Sequence, residues 1–63
     1  MKTERGKVTA LDSTKRAFRI DRHWYYAQQS DLRRLRLDDN IEVAFVTQEG
    51  RRKAIEVKVV KDS

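Results

Sequence analysis

Apolar and polar residues alternate in five short runs, and this pattern restricts the chain to an all-β fold. Alternation with a period of two places successive side chains on opposite faces of a strand. The predicted strands cover residues 7–11, 16–21, 24–29, 41–47 and 54–60. Turn-forming residues separate the runs. A chain of 63 residues holds one domain, residues 1–63, with a small core.

Residues two apart along each strand share a face, which identifies the expected core. We expect the following side chains to point inward: Phe18, Ile20, Ile41, Val43, Phe45, Ile55, Val57 and Val59. Ala17 and Arg19 would then face outward on the second strand. The segment Met1–Arg5 is polar and is expected to be frayed, with Gly6 interrupting it.

The third strand allows two orientations. Either Tyr25 and Ala27 point inward while Trp24, Tyr26 and Gln28 point outward, or the reverse. The first orientation is favoured because an unpaired Gln28 in a small core would cost about 1–3 kcal/mol.

A short helical turn is predicted between the third and fourth strands. Ser30 is the expected N-cap, and Asp31 lies near the positive end of the turn. Leu32 and Leu35 would share a face and close the end of a sheet.

Five short antiparallel strands need closure to hide their edges. We therefore predict a small five-stranded antiparallel OB-fold barrel with the helical turn between strands 3 and 4. An SH3-like barrel is the alternative, although its helical turn normally lies between the last two strands.

Charge and composition limit the function classes. Fifteen Lys and Arg against ten Asp and Glu give a net charge of +5, which favours a polyanionic partner, although such charge also keeps a small domain soluble. The chain has no cysteine, one histidine and two glycines, so neither a metal site nor a nucleotide-binding glycine loop is expected. No cofactor is expected. No membrane partner is expected either, because no apolar run is long enough to span a membrane, and the expected location is cytoplasmic. His23 beside a turn reads as a surface residue, so an enzyme is not expected.

The stretch from Lys15 to Gln28 interleaves basic and aromatic residues. Single-stranded nucleic acid binds to such surfaces because bases stack on rings while cations track the phosphates. The same residues could instead be a small core with a solvated outer face. The candidate nucleic-acid-binding residues are Lys7, Lys15, Arg16, Arg19, Trp24, Tyr26, Gln28, Arg33, Arg34, Arg51, Arg52 and Lys53.

The order of short motifs resembles the bacterial cold-shock domain along nearly the whole chain. The similar motifs are Gly6-Lys7-Val8, Leu11-Asp12, Phe18 with Ile20, Tyr25-Tyr26-Ala27, Ser30-Asp31-Leu32, Leu37-Asp38-Asp39-Asn40-Ile41-Glu42-Val43, Glu49-Gly50 and Ala54-Ile55-Glu56-Val57. The resemblance implies an OB-fold that binds single-stranded RNA or DNA, with RNA favoured.

The chain departs from that family where the family stacks bases. Ala17 and Arg19 stand in place of two outward phenylalanines, and Gln28 stands in place of a histidine. The family's binding residues therefore carry over only at Lys15 and Tyr26. Arg19 could still stack its guanidinium plane on a base.

A weaker resemblance is to the bacterial one-domain translation initiation factor one. It rests on Gly6-x-Val8, Phe18-Arg19-Ile20, the basic segment at residues 33–36 and Asp39-Asn40-Ile41-Glu42-Val43. That family is another small basic OB-fold, and the resemblance implies ribosomal RNA as a partner.

A protein-protein interaction or regulatory module is the alternative function. The missing stacking residues favour it, and Trp24, Tyr25 and Arg33 are residue types common at protein hot spots. An engineered chain with no native function is also conceivable. The sequence gives no signal for the oligomeric state.

Overall fold

The five predicted strands close into one barrel. The computed structural model describes residues 1–60, and the predicted tail Lys61-Asp62-Ser63 lies outside the described residues. The elements are β1 (Lys2–Asp12), β2 (Ala17–Ile20), β3 (His23–Tyr26), α1 (Gln29–Leu32), β4 (Asn40–Gln48) and β5 (Arg51–Val59). The strand order is β1-β2-β3-β5-β4, and β1 also pairs with β4 to close the barrel. The predicted all-β, five-stranded OB-type barrel is confirmed, with one parallel pair, β3 with β5.

β1 is longer than predicted because one strand serves two neighbours. Its first half pairs with β4 from Lys2 to Lys7, and its second half pairs with β2 from Val8 to Asp12. The expectation that Met1–Arg5 is frayed was wrong. Backbone pairing to the edge of β4 holds this segment, so its polar side chains do not prevent strand formation.

Gly6 lies inside β1 rather than interrupting it. A Cβ at this position would overlap Cγ2 of Ile20, which is buried and stiff at its branched carbon. The missing side chain thus lets β1 approach β2 closely near the register shift between Val8 and Ala10.

The core is built around Tyr25. Its ring stacks on Phe18 at 5.4 Å between centroids and meets the ring of Phe45 edge-on at 5.1 Å. Tyr25 is buried whereas Trp24 is exposed and Tyr26 half-buried, which confirms the favoured orientation of the third strand.

The predicted alternation of buried and exposed side chains holds along β4 but is interrupted by a bulge in β5. Ile41, Val43 and Phe45 are buried as predicted. The register shifts so that Phe45 faces Ala54 and its neighbour Ala44 faces Glu56. Ile55, between those two, is the extra residue of a β-bulge and is 52% exposed, so its prediction as a core residue was wrong.

α1 is a single short turn, and Leu32 at its end and Leu35 after it join the core. Leu32 and Leu35 are buried as predicted. Ser30 is not the N-cap, because the helix starts at Gln29, two residues earlier than predicted, and Gln28 is the N-cap without a side-chain hydrogen bond. Among residues 1–60, no helix is long and apolar enough to cross a membrane.

Candidate functional site

The outward sides of β2, β3 and the start of β5 form one continuous surface. Arg19 lies opposite Trp24, Ala17 lies opposite Tyr26, and Tyr26 lies beside Lys53. We call this surface the platform face and define it by Ala17, Arg19, Trp24, Tyr26, Arg51 and Lys53. Ala17 was expected to face outward and does so by register, yet it is buried on this face.

Two arginines of the platform face lie over its two rings. The Arg19 guanidinium carbon is 5.7 Å from the centroid of the Trp24 ring, and that of Arg51 is 5.4 Å from the Tyr26 ring. Both distances fall within the range of a cation–π contact. Arg19 is also held by its Nε, which donates to the Thr9 hydroxyl at 3.0 Å.

Two depressions flank Tyr26. The larger one measures about 880 Å³ and the smaller one about 220 Å³. The larger depression is lined by Arg16, Tyr26, Ala27, Gln28, Gln29, Gln48, Glu49, Arg51, Lys53, Ala54 and Ile55. The smaller depression is lined by Asp12, Lys15, Ala17, Trp24 and Tyr26. Both depressions thus share the half-buried ring of Tyr26.

The loop between β1 and β2 brings two cations to this surface. The Asp12 carboxylate accepts hydrogen bonds from the backbone N–H groups of Thr14 and Lys15 at 3.0 and 3.1 Å, which fixes the turn. Arg16 follows with a left-handed backbone, φ 54°. Its carbonyl accepts a hydrogen bond from Ala27 N–H at 2.9 Å, which ties the loop to the end of β3.

The turn between β4 and β5 lies at the other side of the larger depression. Gln48 pairs with Arg51, so the turn contains two residues, Glu49 at φ 52° and Gly50 at φ 76°. Gly50 adopts its positive φ without strain because it has no Cβ. Such tight hairpin turns favour Asn, Asp or Gly at both positions, so Glu49 is an unusual occupant.

Eight of the twelve candidate binding residues gather around the platform face. They are Lys15, Arg16, Arg19, Trp24, Tyr26, Gln28, Arg51 and Lys53. The two orientations of Trp24 weighed from sequence are resolved in favour of the surface, since it is 40% exposed.

The other four candidates lie elsewhere. Lys7 pairs with Asn40 of β4 and lines neither depression. Arg33 and Arg34 are exposed after α1 and line neither depression. Arg52 is half-buried, and its guanidinium carbon is 6.0 Å from the centroid of the core ring of Tyr25. Alternation along β5 explains this, because Arg51 and Lys53 share the platform face and Arg52 takes the opposite side.

Sequence reasoning missed six residues of the larger depression. These are Ala27, Gln29, Gln48, Glu49, Ala54 and Ile55. The sequence does contain a signal for Glu49, because a two-residue hairpin turn favours Asn, Asp or Gly at the position before Gly50. Ile55 had none, because its exposure depends on the bulge.

The cations of the platform face are free of carboxylate partners. In the described part of the chain, the two ion pairs join Arg5 to Glu42 at 2.6 Å and Lys58 to Glu56 at 3.8 Å. Neither pair includes a platform residue, so the positive charge of this face is available to a ligand.

Burial raises the pKa of Tyr25, the ring behind the platform face. Loss of hydration is the largest cause, the negative charge of Glu4 adds to it, and Arg52 opposes it. Tyr25 therefore stays neutral and serves packing. Within residues 1–60, no group of three His, Asp or Glu side chains could hold a metal ion.

Comparison of the chain with protein-family models, with curated proteins and with solved structures finds no match. The resemblances to the cold-shock domain and to initiation factor one therefore stay predictions. The function has to be argued from the geometry of the platform face.

Proposed function

We propose that this protein is a non-catalytic module that binds single-stranded nucleic acid, RNA in preference to DNA, through the platform face. The observation that carries the proposal is the pairing of two surface rings, the exposed Trp24 and the half-buried Tyr26, with arginines and unpaired cations. Rings for bases and cations for phosphates are the two components of a single-strand binding surface.

The arginines on the rings do not prevent stacking. A cation–π contact at an exposed site contributes about 0.5–1 kcal/mol. Stacking of a base on an aromatic ring contributes about 1–3 kcal/mol. A base therefore displaces Arg19 or Arg51 from its ring, and the released guanidinium becomes free to contact a phosphate.

Spacing along β3 supports two adjacent stacking positions. Trp24 and Tyr26 are two residues apart on one face of the strand, which separates them by about 6.6 Å along it. Lys15 and Arg16 lead into β2, which pairs with one edge of β3, and Arg51 and Lys53 lie on β5, which pairs with the other edge. The strand of nucleic acid would thus run across the sheet between the two loops.

Trp24 provides the test because it is the single tryptophan of the chain. Short single-stranded RNA and DNA are titrated at about 50 mM and about 200 mM salt, with Trp24 fluorescence and the anisotropy of a labelled oligonucleotide as readouts. We expect quenching together with an anisotropy increase, both weaker at the higher salt. Absence of an anisotropy change at low salt would contradict the proposal.

A protein partner is the second candidate, and one observation favours it. Ile55 is exposed and lines the larger depression beside Tyr26 and Arg51, a combination of residue types found at protein hot spots. Failure of every oligonucleotide to bind would leave this candidate as the better explanation of the platform face.

A further inference from the structure

The larger depression beside Tyr26 combines one carboxylate with several cations. Glu49 is the one acidic residue among its lining residues, and Arg16, Arg51 and Lys53 are the basic ones. Its volume of about 880 Å³ lies within the range of about 300–1,000 Å³ typical of small-ligand sites. It is large enough for a single flipped-out base against the Tyr26 ring.

Arg16 and Glu49 approach the depression from opposite loops, and both have a left-handed backbone. Arg16 has φ 54° and Glu49 has φ 52°. Such conformations cost a residue with a side chain roughly 1 kcal/mol or more, and they concentrate at functional sites. Among residues 1–60, Arg16 and Glu49 are two of four non-glycine residues with a positive φ, and these two place a cation and a carboxylate in the lining of one depression.

We propose that this depression is a guanine-reading subsite, an inference that rests on the proposed binding of single strands. Guanine presents two adjacent donors, N1–H and N2–H, which match the two oxygens of the Glu49 carboxylate. Its opposite edge presents the acceptors O6 and N7, which match arginine or lysine donors such as Arg16 and Lys53. Tyr26 supplies the stacking surface.

The other bases fit the carboxylate less well. Adenine and cytosine place a ring-nitrogen acceptor next to their amino donor, and uracil flanks its single N–H with two carbonyl oxygens. Each of these acceptors would face the negative charge of Glu49 at close range. The exposed amides of Gln28, Gln29 and Gln48 can donate or accept, so they would adapt to any base and add little discrimination.

The test compares affinities on the same protein. The probes are labelled RNA octamers of uridine, with the fourth position occupied by uridine, guanosine, adenosine or inosine. A single guanosine is expected to tighten binding at least about fivefold over uridine, from a bidentate contact of ordinary strength. Inosine lacks the N2 amino group and is expected to lose most of that gain.

Glu49→Gln tests the residue, with Glu56→Gln as the matched control. Both variants remove one negative charge from an exposed residue near or on β5, so the general electrostatic effect is similar. The ratio of guanosine to uridine affinity is expected to fall to about one in Glu49→Gln and to stay at the wild-type value in Glu56→Gln.

The outcomes distinguish failure of the guanine subsite from failure of the proposed single-strand binding. Equal binding of the uridine and guanosine octamers by the wild-type protein would overturn the guanine subsite while leaving single-strand binding intact. A guanosine preference that persists in Glu49→Gln would also overturn it. Failure of every octamer to bind at low salt would overturn both the subsite and the proposed function.

Discussion

Arg51 and Arg34 are both exposed arginines, but they have different surroundings. Arg51 lies over Tyr26 on the platform face, whereas Arg34 follows α1 and lines neither depression. We expect Arg51→Ala to weaken binding of an oligonucleotide about tenfold, the loss of one charged hydrogen bond. Arg34→Ala removes the same charge and is expected to weaken binding less than threefold in the same anisotropy titration. Equal effects would show that net charge alone drives binding.

The buried phenol of Tyr25 is expected to make the free energy of unfolding depend on pH in the alkaline range. Because its pKa is raised in the folded state, the folded protein retains the phenolic proton longer than the unfolded chain. The free energy of unfolding should therefore fall as the pH rises above the ordinary tyrosine pKa of about 10.

Urea unfolding at about pH 9 and about pH 11 measures this dependence. The control is Tyr25→Phe, which keeps the ring between Phe18 and Phe45 but cannot ionise. We expect the wild type to lose more stability than Tyr25→Phe over this interval, since the two proteins differ only in the Tyr25 hydroxyl. An equal loss in both would contradict the role of the buried phenol.

The bulge in β5 shows how the pairing of two strands can change the burial that alternation predicts for a residue. Alternation alone placed Ile55 in the core, and the register shift opposite Phe45 turned it outward. Ile41 on β4 obeys the same alternation and is buried. A bulge depends on how two paired strands fit, so the sequence of one strand contains no signal for it.

Matched substitutions measure the consequence of the bulge. Ile41→Ala, at a residue 1% exposed, is expected to lower the free energy of unfolding by about 2–5 kcal/mol. Ile55→Ala, at a residue 52% exposed, is expected to change it by less than about 0.5 kcal/mol. Denaturant unfolding compares the two, and comparable losses would mean that Ile55 packs in the core in solution.

For the whole molecule, the sequence predicted a five-stranded barrel but not the pairing of β1 with β4 that closes it. Regular alternation was enough for the five strands. The helical turn came from the spacing of Leu32 and Leu35 after Ser30, and the inward position of Tyr25 came from the cost of burying Gln28. The long β1 was missed because its N-terminal half is held by backbone pairing with β4 rather than by its own apolar residues. The sequence also did not show which basic residues group together. Arg33 and Arg34 follow α1 and line neither depression, and alternation along β5 puts Arg52 on the side opposite Arg51 and Lys53.

The charge of the whole platform face sets the expected salt dependence of binding. Five cations lie on it or in its loops: Lys15, Arg16, Arg19, Arg51 and Lys53. If each neutralises one phosphate of a single strand, the logarithm of affinity should fall against the logarithm of salt with a slope of about −3.5. Affinity would then drop roughly a hundredfold between about 50 and about 200 mM salt.

Single substitutions show whether these cations contact phosphates. Lys53→Gln should make the slope shallower by about 0.7, the contribution of one contact to a single strand. Lys58→Gln is the control, because Lys58 lies farther along β5 and is paired with Glu56. Its slope should equal that of the wild type, since this lysine is outside the platform face. A slope near zero in the wild type would mean that stacking on Trp24 and Tyr26 holds the strand without its phosphates.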